Sequence, residues 1–159
     1  MEDLGLKNIK YIASQYRSAI DKTLAMGEFD NDFSFNRFPR GCCGDASDLL
    51  AQYLLDNGIK TYYVCGNYYY DEPTKGAQSH AWLQTEDKTI IDITGDQFKD
   101  YSAFLNYDVS VYVGPGDEFH RLFEVEDRDV HENMGLEALG SICRPRLREL
   151  YWKIVKFIM

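Results

Sequence analysis

The feature that most restricts the fold of this chain is a glycine- and proline-rich turn that runs directly into a helical pattern. The turn is Phe38-Pro39-Arg40-Gly41-Cys42-Cys43-Gly44, and its proline and glycines favour backbone conformations that interrupt regular structure. Apolar residues then recur at helical spacing over positions 46–54, and Asn57-Gly58 is a C-terminal stop signal. The sequence therefore predicts a helix that begins at a cysteine.

A cysteine in that position has two interpretations. Unpaired N–H groups and the helix dipole favour an anion at a helix N-terminus, which lowers a thiol pKa and makes the sulfur nucleophilic. Alternatively, Cys42 and Cys43 are small apolar side chains of the core, as free cysteines commonly are. The sequence downstream favours the first interpretation.

Length and charge limit the classes of function. A chain of 159 residues suits one domain with a core of its own. The formal net charge of −9 disfavours nonspecific binding to nucleic acid, so we expect no nucleic-acid partner.

The termini and cysteines predict the compartment. Residues 1–5 lack the basic and apolar regions of a secretory signal, and the apolar run 150–159 is too short to span a bilayer. The four cysteines form no recognisable disulfide framework. We therefore expect a reduced, cytoplasmic protein without stable membrane insertion.

Metal binding is not expected from this sequence. A zinc site could draw on His80, His120, His131 and the cysteines, but none of these residues has the spacing typical of zinc ligands. We predict neither a metal nor an organic cofactor.

The remaining pattern predicts a single α+β domain over residues 1–159, with a core over about 36–113. Amphipathic helices are expected at 4–26 and at 135–159, the second open to interruption at Arg144-Pro145. Strands are expected at 60–70, 78–85, 89–94 and 109–113, whereas 98–107 is compatible with a short helix and 117–133 gives no prediction.

Two neighbouring strands contain the second informative pattern. In Ser79-His80-Ala81-Trp82-Leu83 the histidine and tryptophan share one face, and Asp92 lies between Ile91 and Ile93 on the next strand. A hairpin that pairs His80 directly with Asp92 places their Cβ atoms roughly 5 Å apart. Such a carboxylate would fix the imidazole tautomer and leave the other ring nitrogen to accept a proton from a nucleophile. Taken separately, each residue could instead be structural.

The order of these motifs resembles the transglutaminase-like branch of the papain-like cysteine enzymes. The matching motifs, in order, are Gly41-Cys42-Cys43 before a helix, Gly58-Ile59 at its end, Val64-Cys65-Gly66 in a strand, His80-Ala81-Trp82 in the next, and Ile91-Asp92 in a third. The resemblance covers about residues 36–98 and leaves both flanking helices outside it.

The resemblance implies a mainly antiparallel sheet packed against the helix that carries the cysteine at its N-terminus. It further implies that Cys43 is the nucleophile, His80 the general base and Asp92 the orienting acid, with Cys42 as an alternative nucleophile. The family's oxyanion hole combines the nucleophile's own N–H with an upstream donor, for which Asn36 and Gln15 are the candidates.

The expected function is thiol-dependent acyl transfer on an amide or peptide bond, as in a peptidase, amidase, deamidase or transglutaminase. The alternative is an inactive domain of this type that binds another protein. A peptide or protein substrate could be held by Tyr69, Tyr70 and Trp82, although such aromatics commonly serve sheet packing. Gln97-Phe98 either closes the site or begins a turn.

The C-terminal segment is basic and apolar in an otherwise acidic protein. Arginines and lysines alternate with aromatic and aliphatic residues over 144–157, so this helix is a candidate contact for a partner. The alternative is a terminal helix that docks on the core.

Overall fold

The structure is a computed structural model that describes residues 4–158. Its helices are α1 (Leu4–Ala25), α2 (Cys43–Asp56) and α3 (Arg144–Val155). Its strands are β1 (Tyr62–Tyr69), β2 (Ala77–Gln84), β3 (Ile90–Asp92), β4 (Tyr112–Gly114) and β5 (Val130–Glu132). Short 3-10 turns occupy much of the chain between them.

The strands form one sheet in the order β4-β3-β2-β1-β5, and every neighbouring pair is antiparallel. The predicted α+β class and antiparallel sheet are therefore confirmed. The edge strand β5 lies in the segment 117–133, for which we make no prediction, because three residues are too few to show an alternating pattern.

The two faces of the sheet have different partners. Alternate strand residues such as Leu83 and Ile91 pack on the apolar sides of the three helices, with Ile20, Leu50 and Leu150 among the buried residues. The opposite face carries Trp82 and Ile90, which pack in an aromatic cluster with Phe98, Phe104, Phe119 and Phe123. Because alternate residues of a strand share a face, His80 lies on this aromatic face with Trp82, and Asp92 lies there with Ile90, as predicted.

The register of the β2–β3 hairpin differs from the predicted one by two residues. Leu83 pairs with Ile91 and Gln84 with Ile90, so His80 does not lie directly opposite Asp92. A shift of two residues preserves the face of every side chain, whereas a shift of one would reverse it. The two side chains therefore still meet, along a diagonal.

The predicted C-terminal helix, residues 135–159, is longer than the helix in the structure. Residues 135–143 are not α-helical: Gly135 has a φ of +91°, and Leu136–Ala138 form a 3-10 turn. Helix α3 begins at Arg144 with Pro145 in its first turn, where the missing N–H of proline is harmless. Met159, the last residue of the predicted helix, lies outside the described residues.

Helix α3 docks on the core through Leu147, Leu150, Tyr151 and Ile154. Its Arg146 binds Asp32 and Asp45, which ties α3 to the loop before α2 and to the first turn of α2. Most of its other cations also have acidic partners within the chain, so contact with another protein stays a prediction. Among the described residues, no helix combines the length and apolar character needed to cross a membrane.

Candidate active site

The turn before α2 places two neighbouring cysteines in different environments. Gly41 adopts a φ of +70°, a conformation that favours glycine, and α2 begins at Cys43. Cys42 is the N-cap residue and is only 3% exposed in the core. Cys43 occupies the first helical position and is half-buried.

The Cys43 sulfur lies at an open edge of β2. Thr85 N–H bonds to Thr89 on the β3 side of the hairpin, and because strand amides alternate in direction, Ala81 N–H points to the same side. Strand β3 ends at Asp92, so within residues 4–158 no strand covers this amide. Ala81 N–H instead donates a hydrogen bond to the Cys43 sulfur. The early end of β3 thus creates the space that the thiol occupies.

His80 links the thiol to a buried carboxylate. Its Nε2 lies 2.7 Å from Asp92 Oδ2, and both side chains are fully buried. The ring nitrogen left for Cys43 is therefore Nδ1, and the thiol interacts with this imidazole through a hydrogen bond and through charge. The structure brings Cys43, His80 and Asp92 together.

Asp92 is held from three directions. Besides His80, its Oδ2 accepts a hydrogen bond from His120 Nε2 at 2.7 Å, and its Oδ1 accepts one from the Thr94 backbone N–H at 2.9 Å. The other nitrogen of His120, Nδ1, lies 2.6 Å from Asp117 Oδ1. Four ionisable groups beyond the thiol therefore form one continuous chain that reaches the partly exposed Asp117.

These contacts shift the pKa values of Cys43, His80 and Asp92 in directions that favour the charged forms. Burial alone would raise the pKa of the Cys43 thiol, but His80 and Ala81 N–H lower it below its ordinary value. Burial alone would lower the pKa of His80, yet the Asp92 carboxylate and the Cys43 thiol raise it. The pKa of Asp92 is lowered, because the two imidazoles outweigh burial. The site therefore favours a thiolate beside an imidazolium.

Cys42 has the opposite properties. Burial, with the nearby Cys43 and Asp45 adding negative charge, raises the pKa of the Cys42 thiol to about 12. A thiol that stays protonated in the core is a poor nucleophile. Of the two neighbouring cysteines, Cys43 has the environment of a nucleophile.

A cavity of about 270 Å³ adjoins the site. Gln97 lines it, and this side chain donates a hydrogen bond to Thr94 O at 3.0 Å while its Nε2 lies 3.4 Å from His80 Nδ1. The other lining residues are Arg40, Gly41, Tyr70, Gln78, Phe98, Tyr101 and Phe104. A polar amide and an aromatic wall therefore lie next to the imidazole nitrogen that faces the thiol.

The three aromatic residues that were predicted to bind substrate lie in three different environments. Tyr70 lines the cavity, whereas Tyr69 is 56% exposed and is not part of the cavity wall. Trp82 is 2% exposed and packs against the ring of His120. Its burial argues against contact with a substrate and gives it a supporting position under the histidines.

Among the described residues, neither candidate upstream oxyanion donor forms a side-chain hydrogen bond with Cys43 or His80. Gln15 hydrogen-bonds with Tyr11 and Tyr53 on the helical side of the molecule. Asn36 is an exposed residue of the 3-10 turn Phe35–Arg37. Gln97, downstream of Asp92, is the side-chain amide that the structure brings to the imidazole.

Sequence reasoning missed Arg17 altogether. This buried residue of α1 donates to Ile93 O at 2.8 Å and forms two 2.9 Å hydrogen bonds with Asp96. Its guanidinium also lies 4.8 Å from the centre of the Phe38 ring. Arg17 therefore joins the segment after Asp92 to the turn that carries Cys43.

His120 was considered only as a zinc ligand. The local signal for its position is Asp117-Glu118-Phe119-His120 after the Gly114-Pro115-Gly116 turn, because Asp117 Oδ1 also accepts the backbone N–H of His120. This spacing predicts a capped turn but not the contact with Asp92, which depends on the tertiary fold.

The same three side chains can be tested as a metal site. Ligand atoms of His80, Asp92 and His120 lie within 4.8 Å of one another. Each imidazole nitrogen is 2.7 Å from the carboxylate oxygen, whereas ligands of a tetrahedral zinc ion with bonds of about 2.0–2.1 Å lie about 3.3 Å apart. The arrangement fits shared protons better than a shared metal ion.

No family model, curated protein or solved structure matches this chain. The function is therefore inferred from the geometry of the site and from the order of its motifs along the chain.

Proposed function

We propose that this protein is a thiol-dependent acyl-transfer enzyme that acts on an amide or peptide bond. Cys43 is the nucleophile, His80 the general base and Asp92 the carboxylate that orients His80. The observation that carries the proposal is the placement of the Cys43 thiol at a helix N-terminus against an imidazole whose other nitrogen is fixed by a buried carboxylate. This is the set of groups that thiol catalysis requires.

The proposed reaction starts from the ion pair in which the Cys43 proton has moved to His80 Nδ1. The thiolate attacks the carbonyl carbon of the substrate, and the carbonyl π electrons move to oxygen to give a tetrahedral oxyanion. When the C–N bond breaks, His80 returns the proton to the leaving amine, and a thioester remains on Cys43. Water or a second amine then gives up a proton to His80, attacks the thioester and releases the acyl group.

Two donors are suited to the oxyanion. The first N–H groups of an α-helix have no intrahelical acceptor, so the backbone N–H of Cys43 is available. Gln97 provides a side-chain amide beside His80, held in place by its hydrogen bond to Thr94 O. Donors fixed before the reaction stabilise the developing charge most effectively.

The chain order supports a papain-like or transglutaminase-like core as the finer description of the fold. The cysteine begins the helix α2, and the histidine and aspartate follow on the adjacent antiparallel strands β2 and β3. We propose a peptide or protein as substrate, with one side chain in the cavity that Tyr70 and Gln97 line.

Alkylation by iodoacetamide as a function of pH tests the proposal, with the modified cysteine located by mass spectrometry. A free thiol with a pKa of about 8.5 is less than about 1% thiolate at pH 6. We expect Cys43 at pH 6 to react at least about 10-fold faster in the wild type than in His80→Ala. His131→Ala is the matched control, because His131 is an exposed histidine that stacks on Tyr63. Cys42→Ser should keep the fast reaction.

Slow alkylation of Cys43 at pH 6, or a rate that His80→Ala leaves unchanged, would refute the proposed enzymatic function. The remaining hypothesis would then be an inactive domain of this type that binds another protein.

A further inference from the structure

A second histidine shares the carboxylate of the proposed site. His120 and His80 both place Nε2 at 2.7 Å from the same Asp92 oxygen. All three side chains are buried, which makes each hydrogen bond expensive to lose. The acyl-transfer mechanism above uses Asp92 and His80 but gives His120 no role.

His120 differs from His80 in that both of its ring nitrogens face carboxylates, whereas only Nε2 of His80 does. A neutral imidazole has one N–H, yet both nitrogens of His120 lie at hydrogen-bond distance from a carboxylate oxygen, of Asp92 on one side and Asp117 on the other. One additional proton is therefore needed between these three groups. The arrangement is satisfied when His120 Nε2 donates its proton to Asp92 and the second proton lies between His120 Nδ1 and Asp117.

We propose that His120 is a positioning residue for the acyl-transfer site. It donates from Nε2 to the same Asp92 oxygen that His80 binds, so that the fixed carboxylate keeps His80 Nδ1 directed at Cys43. This inference rests on the proposed function, because it assigns His120 a role in that same site.

The surroundings of His120 support this role. The ring is packed between Trp82 on β2 and Tyr112 on β4, with Tyr107 and the ring of Phe119 also in contact distance. The titratable groups that face it are Asp92, Asp117, His80, Tyr107 and Tyr112. Of these groups, the two aspartates lie at hydrogen-bond distance from the ring, one at each nitrogen.

Loss of His120 should weaken the Cys43 nucleophile through Asp92. Asp92 Oδ2 would lose one of its two donors, and His80 would then be held by a less ordered carboxylate. A less ordered His80 reduces the reactivity of Cys43 at low pH, where the thiolate depends on the imidazole, and leaves it unchanged where the thiol is fully ionised.

The test compares His120→Phe, which keeps a ring but no donor, with His120→Gln, whose amide nitrogen can still donate to Asp92. We expect iodoacetamide to modify Cys43 about 10-fold more slowly at pH 6 in His120→Phe than in the wild type, with equal rates above pH 9.5. His120→Gln should stay within about threefold of the wild type at pH 6. His131→Phe is the control for replacing a histidine by phenylalanine.

Other outcomes would overturn the proposal. A pH profile of a folded His120→Phe that coincides with the wild type would do so, as would an equal loss in His120→Gln and His120→Phe. If His120→Phe does not fold, His120→Asn replaces it, because its shorter amide cannot reach Asp92.

A spectroscopic measurement separates this proposal from the proposed function. In ¹⁵N spectra of the wild type with labelled histidine, the Nε2 of His120 should carry the proton that it donates to Asp92. This result is independent of whether Cys43 reacts. A wild-type Cys43 that is inert at pH 6 would refute the proposed enzymatic function, whereas a His120 without a proton on Nε2 would refute the role of His120 alone.

Discussion

Replacing Asp92 with asparagine removes one buried charge and leaves the size of the side chain unchanged. The carboxylate accepts hydrogen bonds from His80, His120 and Thr94 N–H, at 2.7, 2.7 and 2.9 Å. Asparagine has one carbonyl oxygen and one NH₂ group, so it cannot replace both carboxylate oxygens as an acceptor. In one orientation the NH₂ group faces the two histidine nitrogens, and in the other it faces the Thr94 backbone N–H.

The expected loss of stability follows from these contacts. A hydrogen bond to a charged group contributes about 1.5–3 kcal/mol, and removing one partner of a buried ion pair costs about 3–5 kcal/mol. We expect Asp92→Asn to lower the free energy of unfolding by about 3 kcal/mol at pH 6. For a domain of this size that corresponds to a decrease in Tm of about 6–12 °C.

The loss should depend on pH in a defined direction. The pKa of folded Asp92 is depressed, so its contribution is present above its unfolded pKa of about 3.9 and is lost as the pH falls below that value. The pKa of folded His80 is raised, so its contribution is complete below about pH 6.5 and is lost as the pH rises through the folded pKa. The difference between wild type and Asp92→Asn should therefore be largest at about pH 4.5–6.5.

Urea unfolding at pH 3, 5.5 and 9 measures this difference. Asp100→Asn is the control, because Asp100 is an exposed aspartate whose ion pair with Arg40 lies at the surface. An Asp92→Asn protein as stable as the wild type at pH 5.5 would refute the reasoning. A loss of stability that is equal at all three pH values would refute the assignment of charge to His80 and Asp92.

Two further predictions concern residues around the site. Arg17→Met should lower the free energy of unfolding by about 3–5 kcal/mol in urea, because it leaves the partly buried Asp96 without its partner, whereas the exposed Arg128→Met should cost less than about 1 kcal/mol. Gln97→Ala should slow acylation of Cys43 by p-nitrophenyl acetate about 10²–10³-fold but alkylation by iodoacetamide less than about threefold, because alkylation forms no oxyanion. Equal effects on both reactions would exclude Gln97 as the oxyanion donor.

Much of the fold could be predicted because it depends on local patterns. Helical spacing of apolar residues predicted α1 and α2 to within a residue or two, and the Gly58 stop signal predicted where α2 ends. Helix α3 was predicted too long, because Gly135 and Pro145 determine the backbone of that segment more strongly than its apolar residues do. Strand β5 has too few residues for a pattern and exists because it pairs with β1.

The residues of the candidate site also fall into two groups, those that local sequence patterns predict and those that only the tertiary structure brings together. Strand alternation by itself determined that His80 and Asp92 share a face, and the turn before α2 determined that a cysteine begins the helix. The tertiary structure decided which cysteine is buried, where β3 ends, and that Gln97, Arg17 and His120 reach the site. These contacts join residues that are far apart in the sequence, so no local sequence pattern predicts them. The sequence therefore specifies the pieces of the site, whereas packing of the helices and loops on the sheet specifies its geometry.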